Sequence, residues 1–169
     1  MLAFNLTRVN LHSPYVIWLD ANGSYKFITD YGVQYRIEFI ENQSIWEDEK
    51  AYELGIVNES QKCSPNDPKV KASIVCLVEE FFLTNPDILL YQCETGDNRQ
   101  AMRARLFTRW FNEYDKRERF CVKVSVLRDE DVDNYIALIV QKNNPKLKSI
   151  LQDFDDFVGF FGAKPRSYE

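Results

Sequence analysis

An α+β fold is what the sequence predicts: an antiparallel or mixed sheet built from hairpins, with about three helices packed mainly on one face. Three observations predict it. Val33, Tyr35, Ile37 and Phe39 alternate with Gln34, Arg36 and Glu38, the period-two pattern of a half-exposed strand. Asn22-Gly23, between the apolar run Tyr15–Leu19 and the alternating Tyr25, Phe27 and Thr29, is a strong hairpin signal. The elements then follow as α-β-α-β-β-α, without the helix between most strands that a parallel βαβ fold needs.

Each element has its own justification. A second turn falls at Asp30-Tyr-Gly32, and Tyr52–Val57 reads as a further strand after a polar stretch at 41–51. Asp67-Pro68 opens a helix, the carboxylate at the N-cap and proline in the first turn. Val70, Ile74, Leu77, Val78 and Phe81 recur at helical spacing until Asn85-Pro86 ends it. Ile88–Cys93 is a continuous apolar run, as expected of a central strand covered on both faces. A second helix is expected over about Asn98–Tyr114. Phe120, Val122, Val124 and Val126 alternate with Cys121, Lys123 and Ser125, and Tyr135–Val140 pairs with them across an acidic loop at Arg128–Asp133. Pro145 starts a third helix whose buried stripe includes Leu147, Ile150, Leu151, Phe154, Phe157, Val158 and Phe161. One domain is expected over residues 1–169, with loose termini at about 1–14 and 162–169.

Composition bounds the function. At 169 residues and 45% hydrophobic, the chain can build a core without a metal or disulfide. The net charge of −5 argues against extended nucleic-acid binding. No basic n-region with a long apolar run marks a signal peptide, and no apolar stretch reaches the ~20 residues that span a bilayer. A cytoplasmic protein with reduced thiols is the expectation. Cys63, Cys76, Cys93 and Cys121 form no close pair and there is one histidine, so no metal and no cofactor is expected.

The segment Tyr91–Phe111 is the most informative. Met102, Leu106 and Trp110 form an apolar stripe that Phe107 and Phe111 widen, while Arg105 and Arg109 lie on the opposite or flanking side as ordinary solvated surface charges. Arg99 and Arg103 point toward the stripe, where a guanidinium must be paired or reach a wet pocket. Two readings stay open. Glu94, Asp97 or a carboxylate of the first sheet pairs them, or they complete an anion site with Thr95, Gly96 and Asn98 at the start of the helix, where forked donors suit phosphate or carboxylate. Asp97 weighs against the second reading, because it can cap the helix itself. There is no GxxxxGK[ST] phosphate loop.

Other candidates carry less chemistry. His12 lacks an obvious carboxylate partner, Glu79-Glu80 read as solvated, and Asp129, Glu130, Asp131 and Asp133 lack the glycine of a calcium loop. Trp46 and Tyr168 fit no core stripe and are read as aromatics that face a partner.

Tyr25-x-Phe27-x-Thr29, Gly32-x-x-Tyr35, Tyr52-Glu-Leu-Gly55, Asp67-Pro68 and the series Gly96-Asp-x-Arg99, Leu106-Phe-x-Arg109-Trp-Phe111 together give the chain its signature over roughly residues 15–160. With it the chain resembles an uncharacterised family of short bacterial cytosolic proteins, a domain of unknown function. That resemblance implies no catalytic residue. The sequence therefore points to a small binding or interaction module that recognises a partner protein or a phosphate-bearing ligand at the Arg99/Arg103 helix. By analogy it is a component of a toxin–antitoxin or phage-defence operon. The alternatives are an enzyme acting on a nucleotide or RNA phosphodiester, with Arg99 and Arg103 stabilising charge and Tyr91 or His12 moving the proton, and a structural homodimer with an exposed sheet edge.

Overall fold

The computed structural model describes residues 2–63, 65–93, 100–114, 116–129 and 132–162. Among the described residues four α-helices, α1 (Leu6–His12), α2 (Pro68–Thr84), α3 (Gln100–Glu113) and α4 (Leu147–Gly162), accompany seven strands. The strands are β1 (Trp18–Leu19), β2 (Tyr25–Ile28), β3 (Gln34–Asn42), β4 (Ala51–Asn58), β5 (Ile88–Cys93), β6 (Phe120–Asp129) and β7 (Val132–Gln141). They form one mixed sheet in the order β1-β2-β3-β4-β5-β7-β6, so the fold is α+β, as the hairpin signals required. The residues group into two compact units, one of residues 1–40 and 54–86, the other of 41–53 and 87–169.

In the first unit the turns sit where the sequence puts them. Gly23 and Gly32 take positive φ, +85° and +72°, which a side chain would strain. They close the antiparallel pairs Trp18↔Lys26 and Lys26↔Arg36. Asp67 caps α2, its carboxylate accepting from Lys69 N, with Pro68 in the first turn; Asn85 closes the other end. The core is aromatic: Phe39 stacks on Phe81 at 5.5 Å, and Phe4 on Tyr25 at 4.9 Å. The buried Tyr15 hydroxyl donates to Asp67 and accepts from Asp30 N, so it ties the β2–β3 turn to the start of α2. Burial, reinforced by the Asp67 carboxylate, pushes this phenol up to about 12, which makes it a structural donor at neutral pH.

The N-terminus corrects the sequence reading. Residues 1–14 read as loose, yet Leu6–His12 is a helix capped by the Asn5 side chain on Arg8 N. The reason is Glu80. It reads as solvated but is 3% exposed, and it accepts from Arg8 Nε and Nη2 (2.8 and 2.6 Å) and from Asn5 N (3.0 Å). A seven-residue helix is too short to hold itself in water, so this long-range pair and the burial of Val9 fix it.

The second unit packs α4 against one face of the β5–β7–β6 antiparallel sheet. Ile136, Leu138 and Val140 meet Ile150 and Phe154, with Cys121 and Leu127 of β6 at the margin. Trp46, expected to face a partner, lies in this core at 3% exposure and donates its indole N–H to the carbonyl of Ile150 (3.3 Å). Lys123 reaches the same side and pairs with Asp155 of α4 (2.7 Å). The other face carries α3, above β7 and β5. Within this unit the helices thus divide between the faces. The last residues, 163–169 with Tyr168, lie outside the described residues.

Candidate functional site

The face under α3 is built by strand parity. Tyr91, Ala137 and Val124 stand opposite one another across β5, β7 and β6, and Tyr135 stands opposite Val126, so these residues share one face. Because α3 sits over β7 and β5, it leaves the valines of β6 half open: Val124 and Val126 are each 42% exposed. Between the flank of α3 and this shelf runs an open groove of about 860 Å³. Arg105, Thr108, Arg109, Asn112 and Glu113 of α3 form one wall and Val124 and Tyr135 the floor.

Arg105 and Arg109 are one helical turn apart and both exposed, as the sequence indicated, but they face a groove rather than open solvent. Arg109 Nε donates to Glu113 Oε1 at 3.0 Å, with the two side chains 70% and 49% exposed. An exposed i,i+4 pair with the cation first is the weaker orientation and is worth a few tenths of a kcal/mol. Leu106 departs from its expected place in the buried stripe and is 43% exposed.

The other predicted residues divide as follows. Thr95, Gly96, Asn98 and Arg99 lie outside the described residues. Arg103 belongs to α3 by its backbone, and its side chain lies outside those described. Tyr91 is on the α3 face by register. His12 ends α1 in the first unit. No group of three or more potential metal ligands occurs among the described residues, and none of their helices is long and apolar enough to cross a membrane.

One signal for this surface was present in the sequence and is hidden by the whole-chain average. From Arg99 to Arg119 there are seven Lys and Arg against three Asp and Glu, a net of +4 in a chain of net −5, so everything outside that segment sums to −9. A field that segregated acts on an approaching anion locally, whatever the total charge. The rival polar cluster lacks this excess. On the outer face of β2–β3, Lys26 and Arg36 are matched by Asp20, Glu38 and Glu59 at 3.0–3.4 Å. Bonds from Ser24 N and Lys26 hold Asp20 below its ordinary value, and those from Gln34 and Lys26 do the same for Glu59. Arg36 Nε is 3.0 Å from Glu38 yet makes no hydrogen bond in that geometry.

An α+β chain with a basic helix laid over an antiparallel three-strand sheet is the class that these observations define. The model of a family of unknown function (DUF6169) matches residues 66–156, just over half the chain, and the protein belongs to that family. The match runs from the cap of α2 to the middle of α4 and so includes α3 and the whole groove. No curated protein and no solved structure matches the chain.

Proposed function

We propose that this protein is a binding module whose α3 groove takes a phosphate-bearing ligand, with the acidic surface of a partner protein as the competing occupant. The observation that carries the reading is the concentration of positive charge on α3 and its continuation, together with a groove of about 860 Å³ lined by Arg105 and Arg109. Guanidinium forks suit phosphate oxygens, Thr108 and Asn112 offer neutral hydrogen bonds, and Tyr135 offers a ring to a sugar or base. Arg99 and Arg103, with Thr95, Gly96 and Asn98, precede these residues on the same helix and its approach. In this reading they offer a second anion contact at the start of the helix, on the side that helical spacing sets away from Arg105 and Arg109.

The experiment is a thermal-shift screen of the intact chain against pyrophosphate, AMP, ATP and ribose 5-phosphate. A ligand at a hundred times its dissociation constant adds about 2.7 kcal/mol, which for a chain of this size raises the Tm by roughly 5–10 °C. Arg105→Ala with Arg109→Ala is expected to abolish that shift and to leave the Tm of the unliganded protein within about 2 °C, since both side chains are exposed. No shift with any of the four compounds overturns the phosphate reading.

A further inference from the structure

We infer that β6 is the docking edge for a second copy of this chain, joining two molecules into an antiparallel β6–β6 dimer about a two-fold axis. Among the described residues β6 is the terminal strand of the sheet, ten residues from Phe120 to Asp129, paired on one side only, with β7. Half of its backbone N–H and C=O groups point outward, an open template for another strand. Edges of this kind are ordinarily blunted by an outward lysine, a proline or a bulge. β6 has no proline, and its one central lysine, Lys123, is drawn away by Asp155 of α4. The valines beside the edge, Val124 and Val126, are left half exposed.

The sequence of the strand is complementary to itself in reverse. With Val124 placed opposite Val124 of the partner, Val122 faces Val126 and Lys123 faces Ser125, so like faces meet and no lysine opposes a lysine. The same register sets Cys121 opposite Leu127 at both ends. An isologous contact repeats each pair twice. The four outer valines then form one apolar strip, and both α3 helices lie on the same side of the continuous sheet. This inference does not depend on what the α3 groove binds.

The test is sedimentation velocity on the intact chain from about 1 to 200 µM. Expected is a monomer–dimer equilibrium between 19.9 kDa and twice that mass. Val124→Lys should raise the dissociation constant at least tenfold with the far-UV circular dichroism unchanged. Ser125→Lys, which sets a lysine opposite Lys123 of the second copy, should weaken the dimer at least tenfold, and Ser125→Glu should leave it within about threefold. That contrast decides the matter even if Val124→Lys disturbs folding. A chain that stays monomeric throughout, a dimer indifferent to Val124→Lys, or Ser125→Lys and Ser125→Glu dimers of equal affinity overturns the inference.

Discussion

Replacing Trp46 by alanine should cost about 3–5 kcal/mol, the largest loss expected from a single substitution in this protein. Trp46 lies in the irregular stretch between β3 and β4, whose composition is polar, and it is the only aromatic there. Its ring fills the core formed by Ile88, Leu90, Leu138, Ile150 and Phe154, and its N–H satisfies the carbonyl of Ile150. Alanine leaves a cavity and an unpaired carbonyl. Trp46→Phe keeps most of the ring contact and loses the bond, so it should cost about 1–2 kcal/mol. Chemical denaturation of the two variants separates packing from hydrogen bonding. Equal losses would mean that the indole is held by the bond alone.

Glu80 is the second large case. Its carboxylate is buried, and it is the acceptor for Asn5 N and two nitrogens of Arg8. Glu80→Ala strands the Asn5 amide and releases α1, at an expected cost of about 1–3 kcal/mol. The loss should be local. Hydrogen exchange should quicken over residues 4–12, while β5 and β7 in the other unit stay protected. Acid should have the same effect. The bond from Arg8 holds the Glu80 carboxyl below its ordinary value of 4.5, against the opposing effect of burial. A group whose folded value is lowered contributes fully above its unfolded value, and that contribution fades as pH falls through the folded one. Protection of residues 4–12 should therefore be constant above about pH 5 and fall below pH 4, and Glu80→Gln should remove the dependence.

These two residues also mark where the sequence stops being legible. The turns at Gly23 and Gly32, the Asp67-Pro68 cap and the central β5 strand are local signals, each decided within a few residues, and the structure has them where the sequence indicates. Trp46 and Glu80 find their partners 104 and 72 residues away, so no window of sequence shows that a polar stretch carries a core ring or that a surface-patterned glutamate is buried. In β6 the alternation shows two faces without saying which is covered. Cys121 and Leu127 pack toward α4, while Val124 and Val126 stay half open, because the length and placement of α3 decide the matter. At the site, the basic character of the helix was legible and the groove was not. Arg105 and Arg109 become interesting only once Val124 and Tyr135, distant in sequence, supply the floor beneath them.

The central claim is that the α3 groove receives an anion. The most direct measurement is a titration of the ¹⁵N-labelled chain with pyrophosphate, followed through its amide shifts. We expect saturable changes confined to Arg105–Glu113, Val124 and Tyr135, extending into the approach to α3, and absent from Arg105→Ala/Arg109→Ala. Shifts that centre instead on Lys26 and Arg36, or no saturable shift at millimolar pyrophosphate, would contradict it.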